Sequence, residues 1–188
     1  MSFLTHNVKR RLGALGALLC GVAVAVGSGA SFTSATANPG NTFTTGALSH
    51  SNSNDNAAIL TAAGLKPGDS VNGTVDIGNT GSASGTFTLS KSNVTDSDAL
   101  NPLSAKLDVL VEDCGLFSGV TPPSCAGATS KYSGKIGSMG AIALGSFAAG
   151  DKHRYRFTVS FADSGVPGGE NAYQGDDTSV QYDWTGTS

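Results

Sequence analysis

Two histidines, two cysteines and three pairs of neighbouring carboxylates are the residues beyond the N-terminal leader that could carry chemistry. Their spacing matches no catalytic signature. The chain contains no His-Glu-x-x-His, no Gly-x-Ser-x-Gly, no phosphate-cradling glycine loop ending in Lys and Ser or Thr, and no calcium-loop ladder. His153 opens an alternating series with Tyr155 and Phe157 and reads as a partly covered strand residue rather than a base or a metal ligand. His50 stands among Ser and Asn, and a loop histidine needs partners that the sequence does not identify. Asp96 with Asp98, Glu112 with Asp113, and Asp176 with Asp177 supply oxygen ligands of the kind a hard cation takes. None belongs to a set of six or more oxygens at diagnostic spacing, so they read as turn and strand-end groups. Asn72-Gly73-Thr74 and Asn93-Val94-Thr95 matter only in a glycosylating host. No catalytic residue, metal ligand or cofactor is expected, and the chain is not expected to be an enzyme.

The elements that would position these residues follow an export pattern. Polar residues with Lys9, Arg10 and Arg11 precede an apolar run over residues 12–26, and Ser28-Gly29-Ala30 offers small residues to a signal peptidase. The run is short of the roughly 20 residues that span a bilayer. Residues 1–30 are therefore expected to be a signal peptide cleaved after Ala30; a retained N-terminal anchor is the rival reading. Cleavage leaves eight of the 11 basic residues against 14 acidic ones. A mature chain with scattered positive charge is not expected to bind nucleic acid.

Cys20 falls in the leader, so Cys114 and Cys125 remain as an even pair in an exported chain and are expected to form a disulfide. A cysteine-only metal site is the alternative, and it lacks the further ligands that zinc wants. The closed loop carries Gly119 and Pro122-Pro123, which reads as a surface excursion stapled at its base.

Residues 31–188 suit one all-β domain, with turn residues spread between short apolar alternations. Two Gly-Asp turns open directly into strands: Lys66-Pro67-Gly68-Asp69 before Val71, Val75 and Ile77, and Ala149-Gly150-Asp151 before His153, Tyr155, Phe157, Val159 and Phe161. Strands are expected over residues 41–48, 70–78, 84–91, 107–112, 132–136, 144–147, 152–162 and 178–185, with residues 49–56 as a loop. The second and third should form a hairpin through Asn79-Thr80-Gly81-Ser82. Residues 57–63 read as a short helix between an Asn56 cap and Gly64, and residues 102–105 as a helical turn. Seven or eight strands around one core predict a β-sandwich of jelly-roll type. The expected core is Phe43, Val71, Val75, Ile77, Phe87, Leu89, Leu107, Val109, Val111, Tyr155, Phe157, Val159, Val180, Tyr182 and Trp184.

The order of five short segments resembles the TasA/camelysin family of secreted bacterial proteins. They are Ala30-Ser31-Phe32-Thr33, residues 40–48, residues 65–70 with Ile77-Gly78-Asn79-Thr80-Gly81-Ser82, residues 144–161, and Asn171-Ala172-Tyr173-Gln174-Gly175. The resemblance implies a jelly-roll sandwich, exported through a dedicated signal peptidase, in proteins that build biofilm-matrix fibres or coat the cell surface. Some relatives carry a metalloendopeptidase label, but no positions here match such a site. Residues 114–125 have no counterpart in the pattern.

A secreted structural subunit that associates with itself or with other matrix proteins is thus the expected function. A camelysin-like zinc endopeptidase and a non-polymerising cell-surface binding module are the alternatives. Residues 31–41 are the expected assembly arm: Ser31, Phe32 and Thr33 begin it, and Pro39-Gly40 interrupts pairing before the domain.

Overall fold

The computed structural model describes residues 46–188. The expected leader over residues 1–30, the expected arm with Ser31, Phe32 and Thr33, the predicted core residue Phe43 and most of the predicted strand 41–48 lie outside the described residues. Within them the chain is an all-β sandwich. Its strands are β1 (His50–Asn52), β2 (Ser70–Asn79), β3 (Gly85–Asp96), β4 (Asp108–Phe117), β5 (Thr129–Lys135), β6 (Ile142–Phe147), β7 (Lys152–Ser160) and β8 (Thr178–Thr187). One sheet has the order β1-β2-β7-β4-β5 and the other β6-β3-β8, with every pair antiparallel. A single helical turn, α1 (Leu103–Lys106), precedes β4.

Both Gly-Asp turns form as their residues require. Gly68 and Gly150 take φ of 91° and 86°, the conformation a type II turn demands at its third position. Asp69 Oδ2 accepts from the Lys66 amide at 2.9 Å, and Asp151 Oδ2 accepts from the Ala148 amide at 2.7 Å. The strands they launch, β2 and β7, then pair with each other.

Inward rows of these strands make the core: Val75, Ile77, Phe87, Leu89, Leu107, Val109, Val111, Tyr155, Phe157 and Val159 are buried, as their spacing predicts. Val71, Val180, Tyr182 and Trp184 face the same core from its margin and are partly buried. Ile136, Met139, Ile142, Leu144, Phe147 and Phe161 complete the core. Ring contacts set the stacking of the layers. Tyr182 and Trp184 of β8 lie over Phe157 and Tyr155 of β7, with centroids 4.7 and 5.4 Å apart, while β6 lies against β5. The position beyond β8 therefore looks onto β2.

Four local expectations are corrected. β2 and β3 are not a hairpin: they lie in different sheets, and residues 80–84 turn a corner between them. The corner forms because Asn79, 1% exposed, turns inward and bonds both sides of it. Residues 57–63 are not helical. Asn56 has φ of 58°, which is incompatible with the extended backbone of an N-cap, and a helix this short has little stability of its own against tertiary contacts. Residues 49–56 are not wholly a loop, because β1 pairs there with β2. Residues 46–48 are not strand; they are tied instead to the corner, where Ala47 O accepts from the amides of Ser82 and Ala83.

Candidate functional site

The disulfide between Cys114 and Cys125 is formed, with Cα atoms 4.5 Å apart. Cys114 is not at the base of a loop but inside β4, where the register against β7 shifts between Asp113 and Gly115 and leaves Cys114 as the extra residue. Asp113, two residues beyond Val111 in the inward row of β4 and opposite Tyr155, meets another residue of the inward row of β7. His153 Nδ1 lies 3.0 and 3.1 Å from the Asp113 carboxylate oxygens, with Lys131 Nζ at 3.5 Å. Burial works to raise the Asp113 pKa, but the bonds from His153 and the Gly115 amide, with the Lys131 charge, hold it below the usual carboxylate range. Next to it the Tyr155 hydroxyl is buried without a hydrogen-bond partner among the described residues, and desolvation with the Asp113 charge pushes its pKa up.

The two histidines do not converge. His50 touches the edge of Phe87 at a centroid distance of 6.2 Å, Phe87 stacks on Phe147 at 4.4 Å, and Phe147 stacks on His153 at 4.5 Å. Two phenyl rings thus stand between the imidazoles. Among the described residues no three His, Cys, Asp or Glu side chains gather as a metal site would require.

Among the described residues Asp96, Asp98, Glu112, Asp113 and Asp176 each accept at least one hydrogen bond from the protein, whereas the Asp177 carboxylate accepts none and Asp176 Oδ2 is buried without a partner. Asp96 accepts from the amide and hydroxyl of Ser104 at 2.8 and 2.7 Å, ordering α1. Asp98 accepts from the Leu100 amide and Asn101 Nδ2. Glu112 Oε2 takes two bonds from Arg156, at 2.9 and 2.7 Å. Asp176 Oδ1 receives the Ser97 hydroxyl at 3.3 Å, and the Asp177 amide donates back to Ser97 Oγ at 2.8 Å. These acids fasten turns to strands.

A broad open feature lies at the β8 side of the sandwich. A groove of about 1000 Å³, at the upper end of ligand-site sizes, runs between the sheets there. Its floor is Val71, Val159 and Phe161, and its far wall is Val180 and Tyr182 of β8. One rim is the strap of residues 58–67, and the other is the loop holding Asn171-Ala172-Tyr173-Gln174-Gly175. Glu170 fixes that loop by accepting from Lys106 Nζ at 3.1 Å and the Ser164 amide at 3.0 Å, and Tyr173 sets its ring edge-on to Phe161. Among the described residues the Tyr182 hydroxyl is buried without a partner, and burial raises its pKa to about 12.

Among the described residues β8 pairs with β3 and with no strand on its other side. Ten residues of backbone thus present an open ladder edge, and the groove lies beside its first half, where Thr178, Ser179, Val180 and Tyr182 line it. The sequence marks β8 plainly as a strand but carries no sign that one of its sides is left open, since edge and central strands share the same period. A sign of the strap was present: Gly73 interrupts the inward row of Val71, Val75 and Ile77, and a glycine inside a strand marks a site where another backbone comes close. No protein-family model and no curated protein matches the chain.

Proposed function

We propose that this protein is an exported structural subunit that assembles into an extracellular fibre by strand addition, the arm of one copy lying along β8 of the next. The observation that carries the reading is the β8 edge, open on one side among the described residues and backed by the apolar groove. A strand laid there would satisfy the outward backbone groups of β8 and cover Val71 and Val180, while its alternate side chains entered the groove.

Length and direction favour the arm of a second copy as the occupant. Residues 31–41 match the ten residues of β8, and Phe32 supplies a large apolar side chain. The described chain begins beside the end of β8: Leu48 Cδ2 lies 3.3 Å from where a Gly186 Cβ would stand. A copy's own arm would have to run parallel to β8, because the stretch from residue 41 to residue 46 reaches only about 17 Å, roughly half of the strand. An arm from another subunit can enter antiparallel, as every other pair in these sheets does. Such addition is head-to-tail and does not close on itself, so it propagates as a filament.

The test is electron microscopy of the mature chain with and without residues 31–37. The reading expects fibres from the first and a folded monomer from the second. It fails if the mature chain stays monomeric or if the shortened chain polymerises equally well.

A further inference from the structure

We propose that residues 57–64 are a displaceable cover that occupies, in the isolated subunit, part of the layer a strand beside β8 would fill, and that yields when that strand arrives. The proposal rests on the strand-addition reading above and names its regulation. Position is the first argument. The space beyond β8 looks onto the inner face of β2, and the strap sits on that face. A Cβ on Gly73 of β2 would stand 2.1 Å from the carbonyl oxygen of Ile59 and 3.0 Å from Leu60 Cβ, so the strap backbone rests directly on the sheet.

Attachment is the second argument. Ile59 and Leu60 are only partly buried against the core. Among the described residues, 58–65 make no backbone-to-backbone hydrogen bond; Asn54 Nδ2 donating to Ala58 O at 3.2 Å is the side-chain tether. A segment held by two apolar side chains, with its amides unpaired, belongs to the least stable parts of a fold. Its ends are also hinged: Asn56 and Gly64 both adopt left-handed backbone, with φ of 58° and 64°. An incoming strand would offer the same apolar cover together with a ladder of hydrogen bonds along β8, which the strap does not make. Exchange of one for the other is therefore downhill, while the strap shields the groove in a subunit without a partner.

The experiment uses the mature chain carrying Ile59→Cys, whose thiol is unique once the leader is gone and Cys114 and Cys125 are bonded. Its labelling rate is read in the monomer, in assembled material, and after adding Gly73→Ala, which drives a methyl into the strap. Gly73→Ala should speed labelling by about tenfold through local opening, with cooperative unfolding of the sandwich retained. Leu60→Ser, which removes an anchor without a backbone clash, should act in the same direction. Assembled wild-type sandwich should label faster than monomer, and Gly73→Ala should shorten the lag before fibres appear. Fibres in which position 59 stays shielded overturn the cover and leave strand addition standing. Release of position 59 by Gly73→Ala with no fibres from any variant overturns strand addition and leaves a separable strap. Labelling that follows global unfolding alone overturns the cover outright.

Discussion

Asn79 Nδ2 donates to the carbonyl of Phe147 at 3.1 Å, tying the last residue of β2 in one sheet to the last residue of β6 in the other. The same amide donates to Ala83 O at 2.8 Å, and its Oδ1 accepts from the Gly81 amide at 3.0 Å. The Asn79 main chain exchanges bonds with Asp151 O and the Gly150 amide. One buried side chain thus holds the inter-sheet corner and the β6–β7 turn together, and this explains why Ile77-Gly78-Asn79-Thr80-Gly81 reads as a motif without any chemistry attached to it.

Replacing Asn79 by Leu should destabilise the domain by about 2 kcal/mol, because the buried Phe147 carbonyl and the part-buried Ala83 carbonyl lose a donor together, while the Gly81 amide keeps Ser49 O. Asn79→Asp should be worse, since a carboxylate oxygen would then face both carbonyls. Urea unfolding followed by tryptophan fluorescence measures both, and a loss under about 1 kcal/mol for either would show that the corner stands without the side chain.

What the sequence made legible was what local chemistry decides. The two Gly-Asp turns, the strands β2, β7 and β8, and the inward rows follow from turn residues and period-two spacing, which act over a few residues. The β2–β3 hairpin failed because an Asn-Thr-Gly-Ser turn looks the same whether its Asn points to water or into a second sheet, and burial of Asn79 is a long-range fact. The helix over residues 57–63 failed for a related reason: Ala and Leu favour it locally, but Ile59 and Leu60 gain more by lying over Gly73. β4 runs five residues past its predicted end, because its pairing with β7 resumes in a shifted register after Cys114, from Gly115 opposite Arg154 to Phe117 opposite Lys152. His50, read as a loop residue, opens β1 instead, and the Asp113 partner of His153 came only from the pairing of β4 with β7.

Phe157→Ala should cost about 3–5 kcal/mol, as a fully buried ring is removed from contact with Tyr182 and Trp184 and a cavity is left. Chemical denaturation gives the number. An effect below about 1 kcal/mol would place the ring outside the core and break the register of β7.

Mature protein denatured without reductant should titrate no free thiol, since Cys114 and Cys125 are paired. Replacing both by Ser should lower stability by about 3 kcal/mol through the larger freedom of the unfolded chain. Because Cys114 lies inside β4, the loosening should reach Asp113 and its bond to His153, and not stop at the loop tip. Hydrogen exchange across residues 108–125 resolves the two patterns: faster exchange confined to 115–124 would contradict the coupling.

Asp113 also gives the domain an acid limb. Its folded pKa lies below the ordinary value, so the ionised form is favoured by folding; the stability it contributes is present above about pH 4 and is lost as pH falls through the depressed folded value. Asp113→Asn should therefore be less stable than wild type at pH 7 by about 1–2 kcal/mol, and the gap should close as the pH is lowered through the depressed folded value. Unfolding free energies measured at a series of pH values test the sign. A gap that widens on acidification would remove Asp113 from this role.

On the strand-addition proposal, a synthetic peptide of residues 31–45 should arrest assembly by occupying β8 on the growing end. The physical basis is competition for one edge: the peptide brings the backbone groups and Phe32 of the arm but no sandwich to extend the filament, so each bound peptide ends a chain. Inhibition should rise with peptide concentration, should vanish when the same residues are scrambled, and should leave the unfolding transition of the monomer unharmed or shifted upward, as binding to the folded state requires. Light scattering during assembly, with matched thermal scans, supplies both readouts. Equal inhibition by the scrambled peptide would mean that composition, not pairing along β8, is what the fibre end recognises.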